Sequence, residues 1–292
     1  MLGTPIVLSS PIVVGAATGS MGTPSDPSAL ICPNQAAMLV NEIALVISSD
    51  NAPNLPPTWD ISMGSIKLTE NAIPPDLCCR LEDTGSGFPS GGQYYTWRFP
   101  RPFYVPKGRV ITCRLMAGDN GTLATIAYRG RLLPDDYPVP ATTMAPYATA
   151  FMPPAASMRV AQQGNQYVYR SGGGSLSNPF HEDLHVQRFI GVAWPQTGGG
   201  IVMSGLAQNG AARFFPLVQL SDADGNPLVR DQTSLLDLCT AARGTWDTEF
   251  VLPAAHSVYA TVDQQHAANL NGTNIQMGLS MVGWHSVPLS EV

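Results

Sequence analysis

Residues 103–134 read FYVPKGRVITCRLMAGDNGTLATIAYRGRLLP, and residues 250–288 read FVLPAAHSVYATVDQQHAANLNGTNIQMGLSMVGWHSVP. Each stretch opens on an apolar run closed by proline, Phe103-Tyr104-Val105-Pro106 in one and Phe250-Val251-Leu252-Pro253 in the other. Each continues as an alternating segment; in Val258-Tyr259-Ala260-Thr261-Val262 every second residue can face a core. Each then breaks at the same tripeptide, Asn120-Gly121-Thr122 or Asn271-Gly272-Thr273, and resumes as a strand that ends near Pro134 or Pro288. Asn-Gly accepts positive φ at both positions, so the tripeptide predicts a tight hairpin. An earlier pair, Pro75-Asp76-Leu77-Cys78 and Leu236-Asp237-Leu238-Cys239, follows Ile66-Lys67-Leu68 in one half and Pro227-Leu228-Val229 in the other. Agreement in the same order at several places predicts an internal duplication.

The rest of the chain fits a β-rich reading. It holds 28 glycines and 26 prolines in 292 residues, spread at short intervals, which leaves room for short strands and little for helices. Strands are expected at Met38–Ser48, Tyr94–Phe99, Val110–Leu115 and Leu123–Tyr128, and at Val186–Trp194, Phe214–Leu220, Ser257–Val262 and Ile275–Val282. The prolines Pro134, Pro138, Pro140, Pro146, Pro153 and Pro154 mark residues 135–166 as an extended connector. The apolar start, interrupted by Pro5 and Pro11 and without a basic leader, reads as an extended arm over residues 1–27. That divides the chain into an arm, a first domain over 28–134, the connector, a second domain over 167–288 and a short tail over 289–292.

Charged residues make up only 12% of the chain, about half the usual share of roughly 25%. A surface so poor in charge, with Lys67 and Lys107 as its two lysines, suits one largely covered by other subunits. The net charge of −6 and the absence of a basic stripe argue against direct, sequence-specific nucleic-acid binding. Five scattered cysteines, Cys32, Cys78, Cys79, Cys113 and Cys239, fit buried free thiols; on a strand the adjacent Cys78 and Cys79 would face opposite sides.

The sharpest catalytic motif is His181-Glu182-Asp183-Leu184-His185. In zinc peptidases this spacing sets two imidazoles on one helical face with the glutamate as general base, which makes His181 and His185 the zinc candidates. Pro179 before it and the β-branched run after it leave barely a turn of helix, so a polar loop at a strand entrance is the stronger reading. Ser221-Asp222-Ala223-Asp224-Gly225-Asn226 begins like a calcium loop but lacks the closing glutamate, and Asp224-Gly225 predicts a turn. Gly172-Gly173-Gly174 and Gly198-Gly199-Gly200 lack a phosphate-loop lysine and read as flexible loops. The aromatics Tyr94, Tyr95, Trp97 and Phe99 are expected to divide between core and subunit interface, with a sugar-binding platform as a weaker reading. No catalytic frame, resident cofactor or metal set is expected, and the chain is read as a non-enzyme.

With its paired Phe103–Pro106 and Phe250–Pro253 segments and paired Asn-Gly-Thr turns, the chain resembles the double jelly-roll major capsid proteins of tailless icosahedral viruses, internal-membrane phages among them. The resemblance implies an all-β chain of two tandem jelly-roll sandwiches and a structural role in the virion, with assembly in the host cytoplasm. It also implies a homotrimer whose six barrels form a pseudo-hexagonal capsomer, with neighbouring capsomers, other virion proteins and, in some of these viruses, an internal membrane as partners. Two alternatives from other classes are a minor virion protein (a spike, decoration or receptor- or carbohydrate-binding module) and, more remotely, a zinc hydrolase using the His181–His185 segment.

Overall fold

Alternating and β-branched segments pair wherever their apolar faces can be buried together, and here they do so twice in the same order. The computed structural model describes residues 3–13, 28–31, 36–48, 58–70, 72–81, 92–116, 123–151, 161–163, 166–168, 172–197, 200–201, 214–228, 233–234, 245–266 and 275–291. The first nine strands are β1 (Thr4–Val13), β2 (Ser28–Ile31), β3 (Met38–Ser48), β4 (Thr58–Met63), β5 (Ile66–Lys67), β6 (Arg80–Leu81), β7 (Gly92–Val105), β8 (Val110–Met116) and β9 (Leu123–Leu132). They form two antiparallel sheets, β1-β9-β3-β7-β6 and β2-β8-β4-β5. Setting aside the two-residue β6, the remaining eight are four antiparallel ribbons, β1 with β9, β2 with β8, β3 with β7 and β4 with β5, wound so that successive ribbons fall in alternate sheets. That winding is a jelly roll.

The later strands are β10 (Thr142–Phe151), β11 (Ala161–Gln163), β12 (Gln166–Val168), β13 (Gly172–Ser177), β14 (Leu184–Thr197), β15 (Gly200–Ile201), β16 (Phe214–Ser221), β17 (Thr233–Ser234), β18 (Thr245–Leu252), β19 (Ser257–His266) and β20 (Ile275–Pro288). Their sheets run β10-β20-β14, with β18 beside β14, and β13-β19-β16-β17. The same four ribbons recur as β10 with β20, β13 with β19, β14 with β18 and β16 with β17. The small hairpins β11–β12 and β14–β15 are additions to that plan. Both sets of strands are jelly rolls.

The chain divides into two compact units, Met1–Ala148 with Trp284–Val292, and Thr149–Gly283, so that β10 and β20 each pass from one unit into the other. The first unit's core is aromatic: Trp59, Tyr95, Phe103 and Tyr128 are fully buried, and Trp97 stands edge-on to Phe99 at 5.4 Å. Burying side chains of this size contributes on the order of 1.5–3 kcal/mol each. The second unit buries Leu184, Val186, Phe189 and Ile190 along β14, with Phe189 stacked on Trp246 at 5.5 Å.

All eight expected strands are present, but two segments read from their prolines are also strands. The expected arm contains β1, paired with β9 along its whole length, and the expected connector contains β10. A proline cannot donate to a ladder, which argues against a central strand; β1 and β10 are both edge strands, where proline is readily accommodated. Pro5 and Pro11 are an even number of residues apart, so both turn their nitrogens to the same side of β1. The Asn-Gly-Thr tripeptides, expected as hairpin turns, lie outside the described residues; the described strands before and after them are in different sheets, β8 and β9 in one unit, β19 and β20 in the other.

The duplication extends to irregular details. The β3 ladder breaks register between Val40 and Glu42, and the β14 ladder between Val186 and Arg188, each with the same phenylalanine opposite the valine, Phe103 or Phe250. After each bulge sits an ion pair across the same strand pair with its polarity exchanged: Glu42 with Arg98 at 2.7 Å, and Arg188 with Asp247 at 2.6 Å. The proline that ends each apolar run starts the same tight turn. Arg109 N–H donates to the Pro106 carbonyl around Gly108, whose φ is 73°, and His256 N–H donates to Pro253 around Ala255, at φ 58°. A left-handed residue at the third position is the geometry of a type II turn. The Pro75 correspondence is partly outside the described residues; Pro75–Leu77 is a short 3-10 turn, and the strand equivalent to Ile66–Lys67 is Thr233–Ser234 rather than Pro227–Val229.

Candidate functional site

The zinc motif does not form the geometry that zinc peptidases need. His181 and Glu182 lie in a bend, His181 exposed, and His185 is the second residue of β14, paired with Val251. A helix would bring residues four apart onto one face, whereas here one member is in a loop and the other on a strand. No group of three or more His, Cys, Asp or Glu side chains suited to a metal occurs among the described residues. By the bulge equivalence His185 occupies the place that Leu39 holds in the first unit.

What the bend does is structural. The Asn178 side chain, at 1% exposure, donates from Nδ2 to the carbonyls of Glu182, Leu252 and Pro253 at 2.9–3.0 Å, while its Oδ1 accepts from Phe180 N–H at 3.0 Å. Its own backbone N–H donates to the His256 carbonyl at 2.9 Å. One amide therefore ties the bend before β14 to the turn after β18. The sequence reading passed over Asn178; Asn-Pro as a turn initiator was the available signal.

The acidic loop is a turn, as expected. The Asp222 carboxylate accepts from the backbone N–H groups of Asp224 and Asn226 and from the Asn226 side chain, at 2.8–3.0 Å, and Gly225 has φ 81°. These bonds, the Asn226 side chain first, hold the Asp222 carboxyl below its ordinary range. Its oxygens are spent on closing the turn. Gly172–Gly174 corrects another expectation: it opens β13 and pairs with β19, and a side chain at Gly174 would collide with the Phe151 ring. Gly198 and Gly199 lie outside the described residues. Of the aromatic run, Tyr95, Trp97 and Phe99 belong to the core, and Tyr94 is covered by the Arg129 guanidinium at 5.6 Å.

The buried thiols Cys78, Cys79 and Cys113 are free, and Cys32 and Cys239 lie outside the described residues. Cys78 and Cys79 follow a 3-10 turn instead of lying on a strand, so both face inward, with Sγ atoms 3.7 Å apart. Burial pushes the Cys79 thiol up, and does the same to Cys113, so neither is poised as a nucleophile.

His285, on β20, is buried with its ring edge-on to Tyr147 at 6.3 Å, and burial lowers its pKa to about 4. The unfolded histidine takes a proton near pH 6.5 and the folded one does not until about pH 4. Its contribution is therefore present above pH 6.5 and is lost as pH falls between the two values. Denaturant unfolding at pH 7.5 and pH 5 should show a loss of about 2 kcal/mol in the native chain beyond that in His285→Leu. Equal losses in both chains would rule out a neutral buried imidazole.

No family model and no curated protein matches this chain. Among solved structures it is similar to the major capsid protein P2 of bacteriophage PM2, at 12% identity over 96% of this chain and 98% of that one, with a TM-score of 0.43. It is also similar to the mavirus major capsid protein, at 8% identity over 95% of this chain and 86% of that one, with a TM-score of 0.34.

The exposed large apolar residues among those described, Val7, Val139, Leu228, Val251 and Tyr259, are dispersed over both units, and the polar motifs are consumed in turns and strand entrances.

Proposed function

We propose that this protein is a major capsid protein, assembling as trimers whose six jelly rolls fill pseudo-hexagonal positions in an icosahedral shell. The observation that carries the reading is the repetition of one jelly roll within one chain, down to its bulge, ion pair and turn. A chain with two equivalent barrels lets three identical subunits present six similar faces, which is how a three-fold assembly occupies a six-fold lattice position. The low charge content supports the same reading, because subunit interfaces are depleted of charge at their centres. The chain's own copies are thus its principal partners, with other virion components at the shell. Light scattering and electron microscopy of purified protein test this: trimers that close into shells are expected, and a chain that stays monomeric at every concentration overturns it.

A further inference from the structure

The two units bury the same sheet face to different extents. Two glycines fix the correspondence: Gly130 on β9 and Gly283 on β20 each face the carbonyl of an equivalent residue, Leu39 or His185. In that register Ile126 and Tyr128 match Leu279 and Met281, and all four are buried in their cores. The alternate residues point to the other face of the sheet. On β20 these are Gly278, Ser280 and Val282, and all three are buried as well. On β9 their counterparts are open: Thr125 is exposed, and Ala127 and Arg129 are half-buried. The open face continues onto β1, where Pro5, Val7 and Ser9, paired with Arg131, Arg129 and Ala127, are all exposed, Val7 at 60%.

We infer that the outer face of β1 and β9 is an interface with a second copy of this chain, covered there as the matching face of the second unit is covered within one chain. The inference rests on the self-assembly reading and names a surface it would use. The cover over Gly278, Ser280 and Val282 is supplied by the chain itself, so the chain carries a surface complementary to this face of the fold. Duplication gives the first unit the same backbone face with small residues at matching places, Ala127 where the second unit has Ser280, and small side chains admit close packing. A neighbouring copy is the partner that presents the complementary surface again. The contact is heterologous, this face against a different surface of the next copy, and three such contacts can close a ring. The face also suits burial. Pro5, Val7, Ser9, Thr125 and Ala127 are uncharged, and of the two arginines beside them Arg129 is already paired with Glu42 at 2.7 Å.

Charge placed in this face tests it on the whole chain. Val7→Asp and Thr125→Glu put a carboxylate at positions exposed in the single chain, so the dissociated variants should unfold at the temperature of the native chain. Each is expected to weaken self-association at least about tenfold, measured by sedimentation. Thr125→Cys is a milder probe, free of any added charge. Its thiol should react with a maleimide at least about tenfold more slowly in the associated chain than in the dissociated one, after subtraction of labelling at the native cysteines. Native-like association of either charge variant, or equal labelling in the two states, overturns this interface while leaving self-assembly standing. A native chain that stays monomeric overturns the self-assembly reading and the interface with it.

Discussion

Gly130→Ala and Gly283→Ala are each expected to destabilise the protein by about 3 kcal/mol, although neither glycine needs an unusual φ. Gly130 lies on β9 opposite the bulge in β3, and a Cβ there would run into the Leu39 carbonyl oxygen and stand 2.8 Å from its carbon. Gly283 lies on β20, where a Cβ would run into the His185 carbonyl oxygen and stand 3.0 Å from its carbon. The obstacle in both cases is backbone held in a ladder, so no side chain can swing away to relieve it. In the first unit the bulge and the glycine form one device: the extra residue of β3 pushes a carbonyl toward β9, and only glycine leaves room for it; in the second, Gly283 faces the carbonyl of His185, the residue equivalent to Leu39. Gly64→Ala supplies the comparison, because nothing lies near its added Cβ and the cost is that of φ +59°, about 1 kcal/mol. Thermal unfolding reads the difference. A Gly130→Ala chain no less stable than Gly64→Ala would mean that the carbonyl does not approach as described.

This device shows how far the sequence could be read. Strand positions were legible because alternation and β-branching are local, and Met38–Ser48 was bounded to the residue. The glycine inside Tyr128-Arg129-Gly130-Arg131 was a readable sign of close approach, but not of which strand approached, since β1 and β3 both flank β9. Layer assignment was beyond local reading for the same reason. Asn-Gly-Thr indicates a reversal of direction, yet whether the chain returns in its own sheet or the opposite one depends on which strands have filled the neighbouring places. The edge strands β1 and β10 were lost to a rule that is right for central strands, because a sequence does not say which strand will lie at an edge. The duplication could be suspected from order alone. Its proof lies in pairings such as Val40 with Phe103 and Val186 with Phe250, which join residues far apart in the chain.

Asn178→Ala is the second large effect expected, about 3 kcal/mol, and it should act on the second unit alone. Two of the amide's three acceptors, the Glu182 and Leu252 carbonyls, lie in the bend before β14 and at the end of β18, and the third, the Pro253 carbonyl, also accepts from His256 N–H. Deleting the amide takes a donor from the buried Leu252 end of β18 and from the bend together, and buried acceptors without donors cost more than the bond itself contributes. Asn178→Asp separates geometry from donation. It preserves the acceptor for Phe180 N–H but replaces the donor by a carboxylate aimed at three carbonyl oxygens, so it should be at least as damaging as alanine. Hydrogen exchange localises the result: amides of β14 and β18 should lose protection in both variants while those of β3 and β7 keep theirs. The same bend contains Glu182, and His181→Ala should leave stability nearly unchanged, since Glu182 takes part through its backbone carbonyl and the exposed imidazole supplies no bond to Asn178. If that histidine change were as damaging as Asn178→Ala, the bend would owe its order to the imidazole and the account given for it would fail.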